Sequence, residues 1–179
     1  MKGRSLFLKP FPADAPVPGF QITTSIKRSS NIIAVSYALL GPITQLGLPA
    51  QAEKPSRKNA LWEETCFELF LGIKNSARYW EFNISPAGHW NVYRFNAYRQ
   101  GMLEEPAISS LPINIDHRSE VLRLSLKIGL DDIVPPEEVL EAAVSAVIKT
   151  VNGKMTYWAL VHPGPEADFH RRDSFIVDL

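Results

Sequence analysis

Residues 61–102 decide the fold: LWEETCFELFLGIKNSARYWEFNISPAGHWNVYRFNAYRQGM. This segment holds three of the four tryptophans and three of the five tyrosines. It divides into three predicted strands, 65–73, 78–85 and 90–97, with a turn signal at Ser85-Pro86-Ala87-Gly88. Each strand has one apolar face and one face that mixes charged and aromatic side chains. A surface that binds a flat polar ligand such as a sugar needs this mixture, whereas a solvated sheet surface does not.

The two-residue alternation of a strand sorts these side chains between two faces. One face carries Thr65, Phe67, Leu69 and Leu71 of the first strand and Trp80, Phe82 and Ile84 of the second. The other carries Glu64, Cys66, Glu68 and Phe70 of the first strand and Tyr79, Glu81 and Asn83 of the second. Since neighbouring strands share their faces, we expect Glu68, Glu81 and Asn83 to lie on one side of the sheet.

The rest of the chain also predicts strands, at 20–27, 31–40, 113–117, 121–128, from about 142 to 151, at 154–161 and at 173–179. Asn152-Gly153 is a strong hairpin signal. Residues 11–19, 41–59 and 102–112 are predicted loops. About ten strands with little helix predict an all-β fold, a two-sheet antiparallel β-sandwich, in one domain spanning 1–179.

The amino-acid composition limits the kinds of binding partner and the cellular compartment that we expect. The 179 residues carry 19 basic and 19 acidic side chains, a net charge of zero that gives no long-range attraction to nucleic acid or to an anionic membrane. The single cysteine, Cys66, excludes an intrachain disulfide and fits a reducing compartment. No apolar run is long enough for a signal-peptide core or a membrane span, so we expect a cytoplasmic protein.

The sequence contains no strong catalytic or metal-binding motif. The four histidines lack zinc-motif spacing, Ser85 lacks a nucleophile-elbow context, and no phosphate-binding glycine loop is present. Glu68 and Glu81 are conceivable as the two carboxylates of a glycosidase, although sequence does not fix their separation. A haem needs axial ligands such as His and Met, and Met102 with His162 or His170 could supply them, but no local sequence pattern supports this combination.

Several segments together resemble a known family. WEETCFELFL, YWEFNISPAGHW, YRFNAYRQGM, TYWALVHP and DFHRRDSFIVDL, all between residue 61 and the C-terminus, resemble bacterial DOMON-like domains, which are similar to family 9 carbohydrate-binding modules. The resemblance implies a sandwich of two antiparallel sheets with a ligand site on one face or edge. It also implies a sugar or a haem as the ligand.

The resemblance implies specific site residues as well. The sugar modules use an aromatic residue and a glutamate six positions later, which here are Trp62 and Glu68. They also use a middle-strand arginine, for which Arg94 is the candidate, and His170 matches the histidine of an FH-x-x-[DE]-x-F pattern. A second set of candidates comprises Glu81, Asn83, Trp90 and Arg171. The chain departs from the sugar modules in one respect, because its 162–171 loop has Phe169 but no second tryptophan.

We therefore predict a non-catalytic module that binds a mono- or oligosaccharide or a glycoconjugate, with no catalytic residue and no cofactor. Structural calcium occurs in related sugar modules, but no Asp-rich loop here supports it. Three alternatives remain open: a haem-binding DOMON domain, a glycoside-processing enzyme that uses Glu68 and Glu81, and a protein-interaction scaffold without a small ligand.

Overall fold

The computed structural model describes residues 5–15 and 18–179. These residues form twelve strands: β1 (Leu6–Pro10), β2 (Gln21–Ser29), β3 (Ile32–Leu40), β4 (Cys66–Ile73), β5 (Tyr79–Ile84), β6 (Trp90–Phe95), β7 (Leu103–Glu104), β8 (Ile113–Arg118), β9 (Val121–Gly129), β10 (Leu140–Lys149), β11 (Met155–Ala159) and β12 (Val177–Asp178). Three short 3-10 helices lie at Ile43–Gln45, Leu61–Glu63 and Arg172–Ser174. Within the described ranges, no helix is long and apolar enough to cross a membrane.

The strands form one strongly curled, antiparallel sheet in the order β7-β6-β5-β4-β10-β11-β1-β2-β3-β9-β8, with β12 beside the start of β10. Strand β1 joins two parts of this sheet, because Leu6, Phe7 and Leu8 pair with β2 whereas Lys9 and Pro10 pair with β11. We name β2, β3, β9 and β8 half-sheet I, and β11, β10, β4, β5, β6 and β7 half-sheet II.

The curl brings both half-sheets against one apolar core. Alternate residues of half-sheet I, such as Val35 and Leu124, are buried in the same cluster as Leu69 and Phe82 of half-sheet II. The Tyr37 hydroxyl crosses this core and donates to the backbone carbonyl of Glu68 at 2.8 Å. The core is therefore shared, and the outward faces of the two half-sheets remain available for other uses.

The predicted all-β class with little helix is confirmed, and most predicted strands appear within a few residues of their expected bounds. The described strands form one continuous curled sheet, joined through β1, and the division into two sheets stays a prediction. Two strands were missed, β1 and the two-residue β7, which lies in a predicted loop. The last predicted strand, 173–179, was too long, because a 3-10 turn at Arg172–Ser174 leaves Val177–Asp178 to pair with β10.

A candidate ligand pocket on the outer face of half-sheet II

The predicted alternation of β4 and β5 is confirmed. Phe67, Leu69, Leu71, Trp80, Phe82 and Ile84 point into the shared core. Across the two strands Glu68 pairs with Asn83 and Phe70 pairs with Glu81, so the two glutamates are diagonal neighbours on the opposite face. Around them a second, smaller apolar cluster contains Phe70, Tyr79, Tyr93, Phe95, Ala143 and Phe175. The outer face of half-sheet II is therefore partly apolar and partly acidic.

This face contains a pocket of about 360 Å³. The turn that carries Trp62, the β6–β7 hairpin and the segment that follows β11 supply its rim. Its lining residues are Trp62, Glu68, Phe70, Glu81, Phe95, Arg99, Met102, Val147, Tyr157, Ala167, Phe169 and His170. Five aromatic rings, two carboxylates, one imidazole and one guanidinium group thus converge on one cavity.

Both glutamates are almost completely buried, with 3% of Glu68 and 4% of Glu81 exposed. Ser145 donates a hydrogen bond to Glu68 Oε2 at 3.3 Å, and Asn83 donates to Glu81 Oε1 at 3.0 Å. Burial, together with the neighbouring Glu81 carboxylate, holds the pKa of Glu68 well above its usual value. Burial also raises the pKa of Glu81 to about 7, against the opposing effects of the Asn83 hydrogen bond and the Arg99 charge. Burial therefore favours the protonated form of both carboxyl groups.

His170 is held by Tyr79. The backbone N–H of Arg99 donates to the Tyr79 hydroxyl at 3.1 Å, which leaves that hydroxyl free to donate to His170 Nδ1 at 2.9 Å. With Tyr79 as the donor, the imidazole proton lies on Nε2, which faces Glu81 Oε2 at 3.8 Å. Burial, and then the Arg99 charge, lower the pKa of His170 to about 4. His170 is thus neutral at pH 7, and its contact with Glu81 is not an ion pair.

Asp168 ties the β6–β7 hairpin to the C-terminal segment. It accepts from the Arg99 guanidinium at 2.8 Å and from the Tyr98 hydroxyl at 2.5 Å, and its Oδ1 also accepts from the backbone N–H of His170 at 3.1 Å. Arg99 has a left-handed backbone with φ of 52°. A non-glycine residue in this region is uncommon, and here it turns the hairpin so that the side chain reaches Asp168.

Trp62 lies on the Leu61–Glu63 turn at the pocket rim, and 36% of it is exposed. Its ring contacts Tyr93 edge-on, with centroids 5.8 Å apart. The Tyr93 hydroxyl donates to Asn59 at 2.9 Å, which fixes the ring on which Trp62 rests. Trp62 therefore offers a supported aromatic surface to the pocket.

The structure brings Trp62, Glu68, Glu81 and His170 into this pocket, and it places the other predicted site residues elsewhere. Arg94 shares the inward parity of Val92, pairs across β5 with Trp80 and reaches Glu105 at 4.0 Å. Trp90 is buried in the core under the Arg57 guanidinium. Asn83 supports Glu81 from behind. Arg171 points away and pairs with Asp173 at 2.6 Å.

The guanidinium group that lines the pocket is that of Arg99. Arg94 lies on the opposite face of β6 because of the two-residue alternation, and the hairpin after β6 brings Arg99 back to the pocket side. In the sequence, the two-residue alternation already places Arg94 on the opposite face of its strand from Tyr93 and Phe95, and this was the signal that Arg94 lies on the other side. Val147, Tyr157 and Ala167 were also not predicted as lining residues. Their positions depend on long-range pairing and on the path of the C-terminal segment, for which the sequence offers no comparable signal.

Chemically, the cavity offers flat apolar surfaces together with hydrogen-bond donors and acceptors. Among residues 5–15 and 18–179, no group of three or more His, Cys, Asp or Glu side chains is arranged to hold a metal ion. Met102 and His170, the pair considered for a haem, both line the cavity. The other lining residues of the cavity do not fit a haem. The buried carboxyl groups of Glu68 and Glu81 would face an apolar macrocycle, and that macrocycle carries carboxylates of its own.

No protein-family profile and no curated protein matches the sequence. Solved structures that share the fold include the following two. A protein from Bacteroides uniformis, proposed to bind carbohydrate, superposes with a TM-score of 0.73 at 12% identity, covering 97% of this chain and 84% of that one. A family 9 carbohydrate-binding module from Caldicellulosiruptor kristjanssonii, in complex with cellotriose, gives a TM-score of 0.59 at 9% identity, covering 98% and 80%. The chain thus has the fold of carbohydrate-binding modules over nearly its whole length.

Proposed function

We propose that this protein binds a carbohydrate, without altering it chemically, in the pocket on the outer face of half-sheet II. One observation carries the proposal: a supported, partly exposed tryptophan and a second aromatic, Phe169, line the same cavity as Glu68, Glu81 and neutral His170. Aromatic rings suit the apolar face of a sugar, and carboxylates and an imidazole suit its hydroxyls. The ligand would be a mono- or oligosaccharide or a glycoconjugate.

The shared fold supports this proposal, since one neighbour is a module in complex with cellotriose. We further propose a DOMON-like two-sheet sandwich acting as one domain over residues 1–179. Support for the sandwich comes from contacts across the core, such as Tyr37 with Phe67 at 5.1 Å between ring centroids. We also propose a cytoplasmic location, for which the single, buried Cys66 gives compositional support.

The arrangement of the glutamates favours binding over hydrolysis. Glycoside hydrolysis needs two carboxyl groups that flank the scissile bond. Glu68 and Glu81 project from neighbouring strands of one sheet face, so both approach a ligand from the same side. Strands adjacent in the sheet therefore give a carboxylate pair suited to holding hydroxyl groups.

Tryptophan fluorescence tests the proposal. Trp62 is 36% exposed, whereas Trp80, Trp90 and Trp158 are at most 5% exposed, so a ligand in the pocket should change mainly the Trp62 emission. A panel of mono- and disaccharides should include at least one that gives a saturable change. Trp62→Ala should weaken its binding about tenfold or more, measured by calorimetry.

Phe7→Ala is the matched control, because it removes an aromatic ring that is 62% exposed on β1 and does not line the pocket. It should bind as the wild type does. If every sugar leaves both emission and heat unchanged while circular dichroism shows a folded protein, the carbohydrate proposal is wrong and the scaffold alternative takes its place. If the wild type and Trp62→Ala bind the sugar with equal affinity, the sugar does not bind in this pocket.

A further inference from the structure

The pocket has more buried acid than a neutral sugar requires. Glu68 and Glu81 are diagonal neighbours on β4 and β5 and both line the cavity. Removing two carboxylates from water is costly unless each gains a compensating partner. The described residues supply one neutral donor to each, Ser145 to Glu68 and Asn83 to Glu81. The pair therefore lacks a buried countercharge.

One oxygen of each carboxylate remains free toward the cavity. Among the described residues, Glu68 Oε1 and Glu81 Oε2 accept no hydrogen bond, and the nearest cation-forming group to the latter is neutral His170, at 3.8 Å. Among residues 5–15 and 18–179, Arg28 Nε is the one side-chain nitrogen or oxygen that is fully enclosed and has no hydrogen-bond partner. The two glutamate oxygens also have no partner, so they are not fully enclosed and can be reached by solvent. Two acceptor positions thus stay open to a ligand.

The other walls of the cavity suit a cation. Phe70, Phe95, Tyr157 and Phe169 line it together with Trp62. The faces of such rings attract ammonium groups, and the attraction strengthens where water is excluded. Buried carboxylates and aromatic rings that line one cavity therefore favour the same kind of chemical group.

Two competing explanations fit less well. Arg99 also lines the pocket, but its guanidinium is bonded to Asp168 at 2.8 Å and its side chain is 52% exposed, so its charge is offset and screened. A metal ion such as calcium needs six or more oxygen ligands. The described residues contain no cluster of three or more acidic, His or Cys side chains arranged to hold a metal ion.

We infer that the sugar bound in this pocket carries a free, protonated amino group, which docks between the open oxygens of Glu68 and Glu81. This inference rests on the proposed carbohydrate binding and adds the ligand class, 2-amino-2-deoxy sugars such as glucosamine. An ammonium group donates three hydrogen bonds, and its positive charge favours the ionised form of both carboxyl groups, so its docking should release the proton that burial favours in the empty pocket. N-acetylation would remove the charge and place a bulkier amide against the carboxylates.

The test compares glucosamine, glucose and N-acetylglucosamine by calorimetry at about pH 7, where the sugar amine is mostly protonated. Glucosamine should bind at least tenfold more tightly than either of the other two. Glu68→Gln and Glu81→Gln keep the side-chain size and one acceptor, and each should reduce this preference severalfold. Glu64→Gln is the matched control, because Glu64 pairs with Lys149 outside the pocket, and it should retain the full preference.

The outcomes separate the two proposals. If glucose or N-acetylglucosamine binds as tightly as glucosamine, the amino-sugar inference is overturned and carbohydrate binding stands. A glucosamine preference that survives in both glutamine variants also overturns it, because the amine would then dock elsewhere. If none of the three sugars, nor any other in the panel, binds to the folded protein, both proposals fail.

Discussion

The two outward faces of the curled sheet differ sharply, although both arise from the same alternation. On half-sheet I, Ser25, Ser36 and Ser125 lie in register across β2, β3 and β9, and all three are half-buried. On half-sheet II, the corresponding outward positions carry buried Glu68 and Glu81. Alternation therefore places polar residues outward on both halves, and the loops packed over half-sheet II decide which of them leave water.

The side chains match this difference. Lys27 and Lys127 flank the serines and are exposed, as expected where solvent stabilises charge. Beneath the C-terminal segment, large aromatics fill the space, and Phe70 lies 6.0 Å from Phe175 and 5.1 Å from His170 between ring centroids. The face of half-sheet I, with small and cationic residues, is thus a solvated surface, whereas the face of half-sheet II carries a second apolar cluster with a pocket and buried acids.

The largest expected effect compares the stability of the two faces. Phe70→Ala should lower the free energy of unfolding by about 3–5 kcal/mol, because Phe70 is 1% exposed and its loss leaves a cavity. Ser36→Ala, at an outward position on β3, should change it by about 1 kcal/mol or less, because it loses only the hydrogen bond with the Ser25 hydroxyl at 2.8 Å. Urea denaturation of both variants measures this contrast. Similar losses in the two variants would mean that the faces are not distinct in the way described.

The next effect concerns pH and is smaller. The pKa of Glu81 rises from 4.5 in its ordinary state to about 7 in the fold, so the native state holds an extra proton between these values and stability falls as pH rises through them. Glu68 acts in the same direction. His170, lowered from 6.5 to about 4, acts oppositely, because its stabilising effect appears as pH rises from about 4 to 6.5. The two glutamates lower the stability as pH rises and the one histidine raises it, so the free energy of unfolding should decrease from pH 4.5 to above 7.

Glu81→Gln tests this balance. The variant should be more stable than the wild type by on the order of 2 kcal/mol at about pH 8, since it removes a buried charge and keeps the Asn83 hydrogen bond. Its stability should also vary less between pH 4.5 and 7, because Glu68 and His170 then oppose each other. Lys127→Gln, on the exposed face of half-sheet I, is the control and should lie within about 0.5 kcal/mol of the wild type. A wild type that gains stability across this range would contradict the assignment.

Sequence patterns predicted the inner and outer faces of β4 and β5, because two-residue alternation is a local property of each strand. Trp62, Glu68 and His170, taken from the family resemblance, lie in one pocket, although their role in sugar binding stays a prediction. Arg94 lies on the other face of β6 and does not line this pocket, whereas Arg99 reaches it through a left-handed turn that the residue type of Arg99 does not predict.

Other features depend on contacts distant in sequence. Strand β1, LFLKP, is short and ends in proline, so its local pattern is weak, yet pairing with β2 and β11 makes it the link between the half-sheets. The burial of Glu68 and Glu81 likewise comes from residues about 90 positions later in the chain. From the alternation alone, these glutamates could equally well have belonged to a solvated surface as to a buried ligand site.

Both functional proposals place the ligand on the outer face of half-sheet II. Assigning the backbone amide resonances and titrating the protein with the tightest-binding sugar of the panel would locate the ligand directly. We predict saturable shifts at Glu68, Glu81 and His170, with those of Ser25, Ser36 and Ser125 unchanged. Shifts concentrated on the serine face of half-sheet I, or absent from the three pocket residues at saturation, would contradict this placement.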